Sequence, residues 1–225
     1  MKTPFLSVML AIVSKDLRAE LRSRELVATM GLFALLSVLV FSFALELDAQ
    51  VREEAVSGVL WVTIVFASLL GLNRSMAMER EGGNMDAMLI APVDRSAIFM
   101  GKLVGNLIFT LVVALVLLPL MTVLYNINML KPWLLLTLLL GVLGISTSGT
   151  LLSAMTVQTR SREALLPIVM LPVVLPILLA AVRGTTGIIN DAPISDWLTW
   201  PQVLGVVNVI YVVLCFSMFR FVVEE

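Results

Sequence analysis

The chain has 225 residues, of which 60% are hydrophobic and only 14% are charged, and its mean hydropathy is +1.03. Soluble domains carry about 25% charged residues, so this composition excludes the soluble class and indicates a membrane protein. The formal net charge is -1 and histidine is absent from the sequence. That absence excludes histidine-based acid-base catalysis, a serine triad and histidine metal sites.

Six apolar runs are long enough to cross a bilayer, which takes about 20 residues of helix. They lack the alternating polar and apolar pattern of barrel strands, so helices are the remaining way to satisfy the backbone in lipid. We therefore predict an all-α membrane protein with six transmembrane helices. The runs are Leu26 to Leu45, Ala55 to Asn73, Leu103 to Leu130, Pro132 to Thr159, Ala164 to Val182 and Trp197 to Phe219.

The segment 1–25 precedes the first run and places apolar residues near helical spacing, with charged residues between them. This pattern predicts an amphipathic helix in the cytoplasmic membrane interface. A solvated helical extension of the first span is the alternative. No small-residue cleavage site precedes the first run, so we expect the N-terminus to be retained.

A polar island, REGGNMDAMLIAPVDRSAIFMGK (residues 80–102), separates the second and third runs. Met85, Met88 and Leu89 share one helical face, which Pro92 is expected to end. A short helix with apolar side chains and a charged rim suits docking into a groove on a partner. We predict a cytoplasmic coupling segment at 74–97, and a solvated loop resting on headgroups is the alternative. Its proposed interface residues are Glu79, Arg80, Glu81, Met85, Asp86, Met88 and Leu89.

Small residues and prolines recur within the later runs. Gly101, Gly105, Gly144 and Ser148 would let helices approach closely. In the fifth run, three prolines predict a kinked helix. Neighbouring helices are expected to satisfy the carbonyls that the prolines leave without donors. These prolines are Pro167, Pro172 and Pro176.

The segment 183–200 is expected to be the longest outer loop, anchored at the headgroups by Trp197 and Trp200. Of the 15 Lys and Arg residues, only Arg52, Lys131 and Arg183 then lie outside, and the remaining twelve face the cytoplasm. This bias predicts that both termini are cytoplasmic.

The chain carries no Walker glycine loop, and the centres of its six runs carry no carboxylates. These features argue against an ATPase and against a proton or sodium relay. We therefore expect a non-enzymatic chain, organised as a single transmembrane domain over 1–225, with any energy supplied by another subunit. We expect no nucleic-acid partner.

The whole chain resembles the CcmB family, haem exporter protein B of bacterial cytochrome c maturation, which is related to ABC-2 permeases. The similarity is carried by Gly83 to Lys102, with Asp86, Met88 and Leu89 followed by APVDRSAIF and GK. A second match is RSREALLPIVMLPVVLPILL, residues 160–179. The length of the chain, its six apolar runs and its amphipathic N-terminal segment also agree with this resemblance.

The resemblance implies a multi-pass protein of the bacterial inner membrane that works as a homodimer with a CcmA-type ABC ATPase. It also implies a CcmC-type haem-handling subunit and a haem chaperone as partners. In ABC-2 permeases the connection between spans two and three is the coupling helix that enters the ATPase. Our interpretation is that ATP hydrolysis releases the haem-loaded chaperone, with this chain as the mechanical transducer.

Haem iron is held by His, Cys, Met or Tyr. This chain offers methionines, Cys215, Tyr125 and Tyr211, so we expect no cofactor bound by the chain itself. Direct passage of haem through the subunit is an alternative. An ABC-2 permease for another hydrophobic or lipid-like substrate and a passive membrane scaffold are the others.

Overall fold

The computed structural model describes residues 4–44, 49–81, 93–156 and 162–222. Every regular element within these ranges is a helix. The helices are α1 (Phe5–Ser23), α2 (Glu25–Ala44), α3 (Ala49–Glu81), α4 (Arg95–Tyr125), α5 (Pro132–Thr156), α6 (Arg162–Ile189), α7 (Ile194–Trp197) and α8 (Thr199–Val222).

Six of the helices in the described ranges are long and apolar enough to cross a membrane. They are α2, α3, α4, α5, α6 and α8, so the prediction of an all-α protein with six spans is confirmed. The bounds differ from the apolar runs, most of all in α3, α4 and α6. α3 continues beyond Asn73 to Glu81, α4 begins at Arg95 and ends at Tyr125, and α6 continues to Ile189.

These differences arise because hydropathy locates the apolar part of a helix, whereas caps decide where the helix ends. Asp94 begins α4, since its carboxylate accepts a hydrogen bond from Ser96 N at 2.9 Å, as N-cap aspartates do. Asn126 ends α4 in the left-handed conformation at φ 55°, which a non-glycine residue adopts rarely and asparagine most readily. The polar segment 74–97 therefore starts and ends as helix.

The centre of the bundle is formed by α3 and α5, in which 72% of the most apolar window is buried, against 22% in α2 and α8. Close approach explains the small residues of α5. A Cβ added at Gly141 would lie 2.1 Å from the Trp61 ring of α3, and one at Gly144 would lie 2.7 Å from the Ile177 side chain of α6. Ser148 is buried and its hydroxyl donates back to Gly144 O at 2.9 Å.

At the outer end, the expected loop 183–200 is largely helical. Residues up to Ile189 complete α6, and after a turn at Asp191 (φ 49°) the chain forms α7. Lys131 Nζ binds Ile188 O at 2.8 Å and Asp191 Oδ1 at 2.6 Å. A cation at a helix C-terminus satisfies carbonyls that lack helical partners.

The expectation that Trp197 anchors at the headgroups is wrong. Trp197 is 5% exposed, and its ring lies 5.4 Å from the Trp133 ring in an edge-to-face arrangement. Its indole N–H donates to Ala192 O at 3.1 Å. Because this acceptor lies inside the fold, the ring can be buried with its N–H group still hydrogen-bonded.

Arg24 separates α1 from α2 by adopting the left-handed conformation at φ 55°. α1 is therefore a separate helix, and the alternative that the N-terminal segment continues the first span is excluded. α1 packs against α4 through Ile12 and leaves Leu6, Leu10 and Leu21 exposed. Its placement in the membrane interface stays a prediction.

Candidate functional site

The predicted coupling residues fall partly within the described structure. Glu79, Arg80 and Glu81 lie in the last turn of α3. Met85, Asp86, Met88 and Leu89 lie outside the described residues, so their docking role stays a prediction.

Glu79 turns inward to other residues of the same chain. It is 5% exposed, and its Oε1 accepts hydrogen bonds from Lys15 of α1 and Lys102 of α4. Lys102 Nζ also lies 2.8 Å from Asp16 Oδ2, and Lys15 Nζ lies 3.2 Å from Asp16 Oδ1. We call Lys15, Asp16, Glu79 and Lys102 the charge cluster. It joins the middle of α1 to the last turns of α3 and to the first turns of α4.

Two glycines of α4 make room for the charge cluster. A Cβ at Gly101 would lie 2.8 Å from Ile12 Cβ, and one at Gly105 would lie 3.5 Å from Asp16 Oδ2. Because α1 can approach α4 this closely, Asp16 reaches the ammonium group of Lys102. Gly101 and Gly105 therefore pack against α1, whereas Gly144 packs between spans.

The charge cluster contains two cations and two carboxylates, so it is formally neutral. The side chains of Lys102, Glu79 and Asp16 are 5%, 7% and 10% exposed. Desolvation of buried charges costs several kcal/mol per ion and is offset only when every partner is in place. The arrangement therefore makes the relative position of α1, α3 and α4 sensitive to each of the four side chains.

Lys15 is the most exposed member, at 42% of its side chain. Burial alone would lower its pKa, but hydrogen bonding to Glu79 and the charges of Asp16 and Glu79 outweigh burial and raise the pKa above 10.5. A raised lysine pKa means that its contribution to stability is complete at neutral pH and is lost only as the pH rises through the raised value. Lys15 therefore keeps its ammonium group at neutral pH.

A second set of contacts fixes the junction of α1 and α2. Glu20 of α1 is buried, and its carboxylate accepts hydrogen bonds from Leu26 N at 3.3 Å and Val27 N at 2.9 Å. These N–H groups belong to the first turn of α2 and have no helical acceptor. Glu25 pairs with Arg74 of α3, so α1, α2 and α3 are connected at the same end of the bundle.

The prolines of the fifth run lie within α6, which runs without a break through Pro167, Pro172 and Pro176. The Tyr211 hydroxyl of α8 donates to Val173 O at 2.7 Å, three residues before Pro176. A proline disturbs the hydrogen-bond ladder on its N-terminal side. Pro176 leaves Pro172 O without its helical donor, and the tyrosine adds a donor to the neighbouring carbonyl in the same turn.

Sequence patterns did not single out Lys15, Asp16 and Lys102 as a group. Each is one charge among many near the predicted membrane surface, and 86 residues separate Asp16 from Lys102. The available signal was a lysine directly after Gly101, at the start of an apolar run. Its partners depend on how α1 folds back, which spacing along the chain does not encode.

Within the described ranges, no group of three His, Cys, Asp or Glu residues lies close enough to hold a metal ion. Cys215 and Tyr125, two of the side chains that could ligate haem iron, are 6% and 2% exposed and pack in the core. In the described residues the site consists of ion pairs that join helices.

The fold and site define a multi-pass α-helical membrane protein whose helix ends are tied by buried ion pairs. A family model described as CcmB protein matches residues 7–221. The chain belongs to the CcmB family, which confirms the resemblance noted from residues 83–102 and 160–179.

Curated relatives agree with this assignment. The chain is 30% identical over 194 residues to heme exporter protein B of Rhodobacter capsulatus, covering 83% of this chain and 88% of the relative. It is 26% identical over 180 residues to heme exporter protein B of Pseudomonas aeruginosa, covering 80% of each chain. It is 27% identical over 184 residues to the Paracoccus denitrificans protein of the same name, covering 80% of this chain and 84% of the relative.

Proposed function

We propose that this chain is the membrane subunit of a haem exporter complex in cytochrome c maturation. It couples ATP hydrolysis by a partner ABC ATPase to haem export or to release of the haem-loaded chaperone at the outer face. The observation that carries the proposal is the family match over residues 7–221, together with relatives named heme exporter protein B. The chain acts as a pair in the bacterial inner membrane, with a haem-handling subunit beside it.

The charge cluster supports a mechanical role within that function. Glu79 lies within the predicted coupling segment 74–97 and Lys102 follows it, and both bind residues of α1. A movement of the segment therefore acts on α3, α4 and α1 together. Three buried ionic groups and the exposed Lys15, held at one end of the bundle, favour a unit that moves as a whole, because separating a buried pair would leave a charge unpaired.

Co-purification with the cognate ATPase tests the coupling role. We expect the wild-type chain to retain the ATPase in detergent and Met88→Asp to weaken its binding about tenfold or more, because a charge would enter an apolar groove. Ile194→Asp is the matched control, since it exchanges an exposed apolar residue for the same carboxylate at the other end of the bundle. Equal retention by Met88→Asp and wild type would remove that face from the interface.

Charge reversal distinguishes a transducer from a passive scaffold. Glu81→Lys is the appropriate variant, because reversal at Glu79 would add a third cation to the charge cluster and disturb the fold. A transducer should lose stimulation of the ATPase, whereas a scaffold should keep both complex formation and cytochrome c yield. A haem absorption spectrum of the purified chain completes the test. Stoichiometric haem on the chain alone would favour direct passage of haem through the subunit over the transducer role.

A further inference from the structure

An apolar groove runs between α2 and α4 on the outside of the bundle. It consists of two adjoining cavities of about 410 Å³ and 240 Å³, which share Val27 and Val112 in their linings. The first cavity begins beside Arg24, and the second extends along α2 and α4 to Leu120. We call this feature the α2–α4 groove.

The dimensions of the groove suit a slender hydrocarbon chain. Its lining on α4 runs from Ile108 to Leu120, which is about 18 Å of helix at 1.5 Å per residue. Val112 and Val116 on its wall are 43% and 64% exposed, so the groove is open along one side. Gly31 widens its floor, since a Cβ added there would meet no atom within 4 Å.

The mouth of the groove is cationic. Arg24 lines it and is exposed, and Arg18 and Arg22 are exposed on the same end of α1. Glu20 also lines the mouth, but its two oxygens are occupied by the backbone N–H groups of α2. Glu25, the next acidic residue, is paired with Arg74. Glu20 keeps its negative charge, but the exposed Arg18, Arg22 and Arg24 outnumber it, so the mouth carries a net positive charge.

We propose that the α2–α4 groove binds one acyl chain of an anionic phospholipid, whose phosphate lies at Arg24. An apolar channel parallel to the spans, with a cation at one end, matches the shape and charge of such a lipid. Each arginine near a membrane surface favours anionic lipid about fivefold. A second copy of the chain is the less suitable occupant, because a symmetric contact at this mouth would bring like arginines together. The site is independent of the proposed coupling function.

Native mass spectrometry of the full chain released from nanodiscs tests the proposal, with phosphatidylglycerol and phosphatidylcholine of identical acyl chains as probes. We expect one phosphatidylglycerol to be retained per chain, about fivefold in preference to phosphatidylcholine. Arg24→Gln should abolish the preference while leaving residual binding of both lipids. Gly31→Leu should fill the floor and remove both lipids. Gly205→Leu is the matched control, because a Cβ at Gly205 of α8 also meets nothing within 4 Å.

Three results would overturn the proposal. Equal retention of both lipids by the wild type would remove the role of Arg24. Retention of phosphatidylglycerol by Gly31→Leu at the wild-type level would place the lipid elsewhere on the protein. If Gly31→Leu instead converted a dimer to monomers with no change in bound lipid, the groove would be a contact between copies. Circular dichroism of both leucine variants establishes that they remain folded.

Discussion

Lys102 is the residue on which the charge cluster depends most, because it binds both carboxylates and is itself 5% exposed. We expect Lys102→Met to destabilise the protein by about 3–5 kcal/mol, as removal of one partner from a buried ion pair leaves a charge uncompensated. The check is the apparent Tm in detergent, followed by tryptophan fluorescence. Arg22→Met is the control, since an exposed substitution is expected to change stability by less than about 0.5 kcal/mol.

The double variant Lys102→Met/Glu79→Gln separates charge from packing. It removes one cation and one anion, so Lys15 and Asp16 remain as a neutral pair at 3.2 Å. We expect its apparent Tm to lie above that of Lys102→Met, although two side chains have been changed. A lower Tm for the double variant would mean that the loss in Lys102→Met comes from packing of the lysine chain and not from charge.

Helix α6 shows how a neighbouring element compensates for a proline. We expect Tyr211→Phe to cost about 1 kcal/mol, the net value of an ordinary hydrogen bond, because the bond from the hydroxyl to Val173 O is lost. The N–H that Pro176→Ala restores bonds to Pro172 O, next to Val173, so the cost should shrink in that background because the helix ladder again holds this turn. A double-mutant cycle on the apparent stability measures this coupling. Additive effects of the two changes would show that the hydroxyl does not act on the disturbance caused by the proline.

The sequence predicts the number of spans well but not where the helices end. The six spans followed from apolar length alone, because lipid leaves the backbone few options. Helix ends depended on caps at Asp94 and Asn126, and the outer segment depended on Lys131 holding the end of α6. The partners of Glu79 were missed because they lie 23 and 64 residues away along the chain. The docking role assigned to residues 85–89 stays a prediction.

We predict the orientation of the whole molecule from its charge distribution. Six spans in the described ranges would put both termini on the same side, and twelve of 15 cations are expected on that side from the sequence. Positive residues are retained in the cytoplasm, so Ser195 at the start of α7 should face the periplasm. In a Cys215→Ala background, we expect Ser195→Cys to react with a membrane-impermeant maleimide on intact spheroplasts. Arg22→Cys, on exposed α1, should react only after the membrane is opened. The reverse labelling pattern would show that the predicted orientation is wrong. The charge cluster and the predicted coupling segment would then lie in the periplasm, where an ATP-driven partner could not reach them.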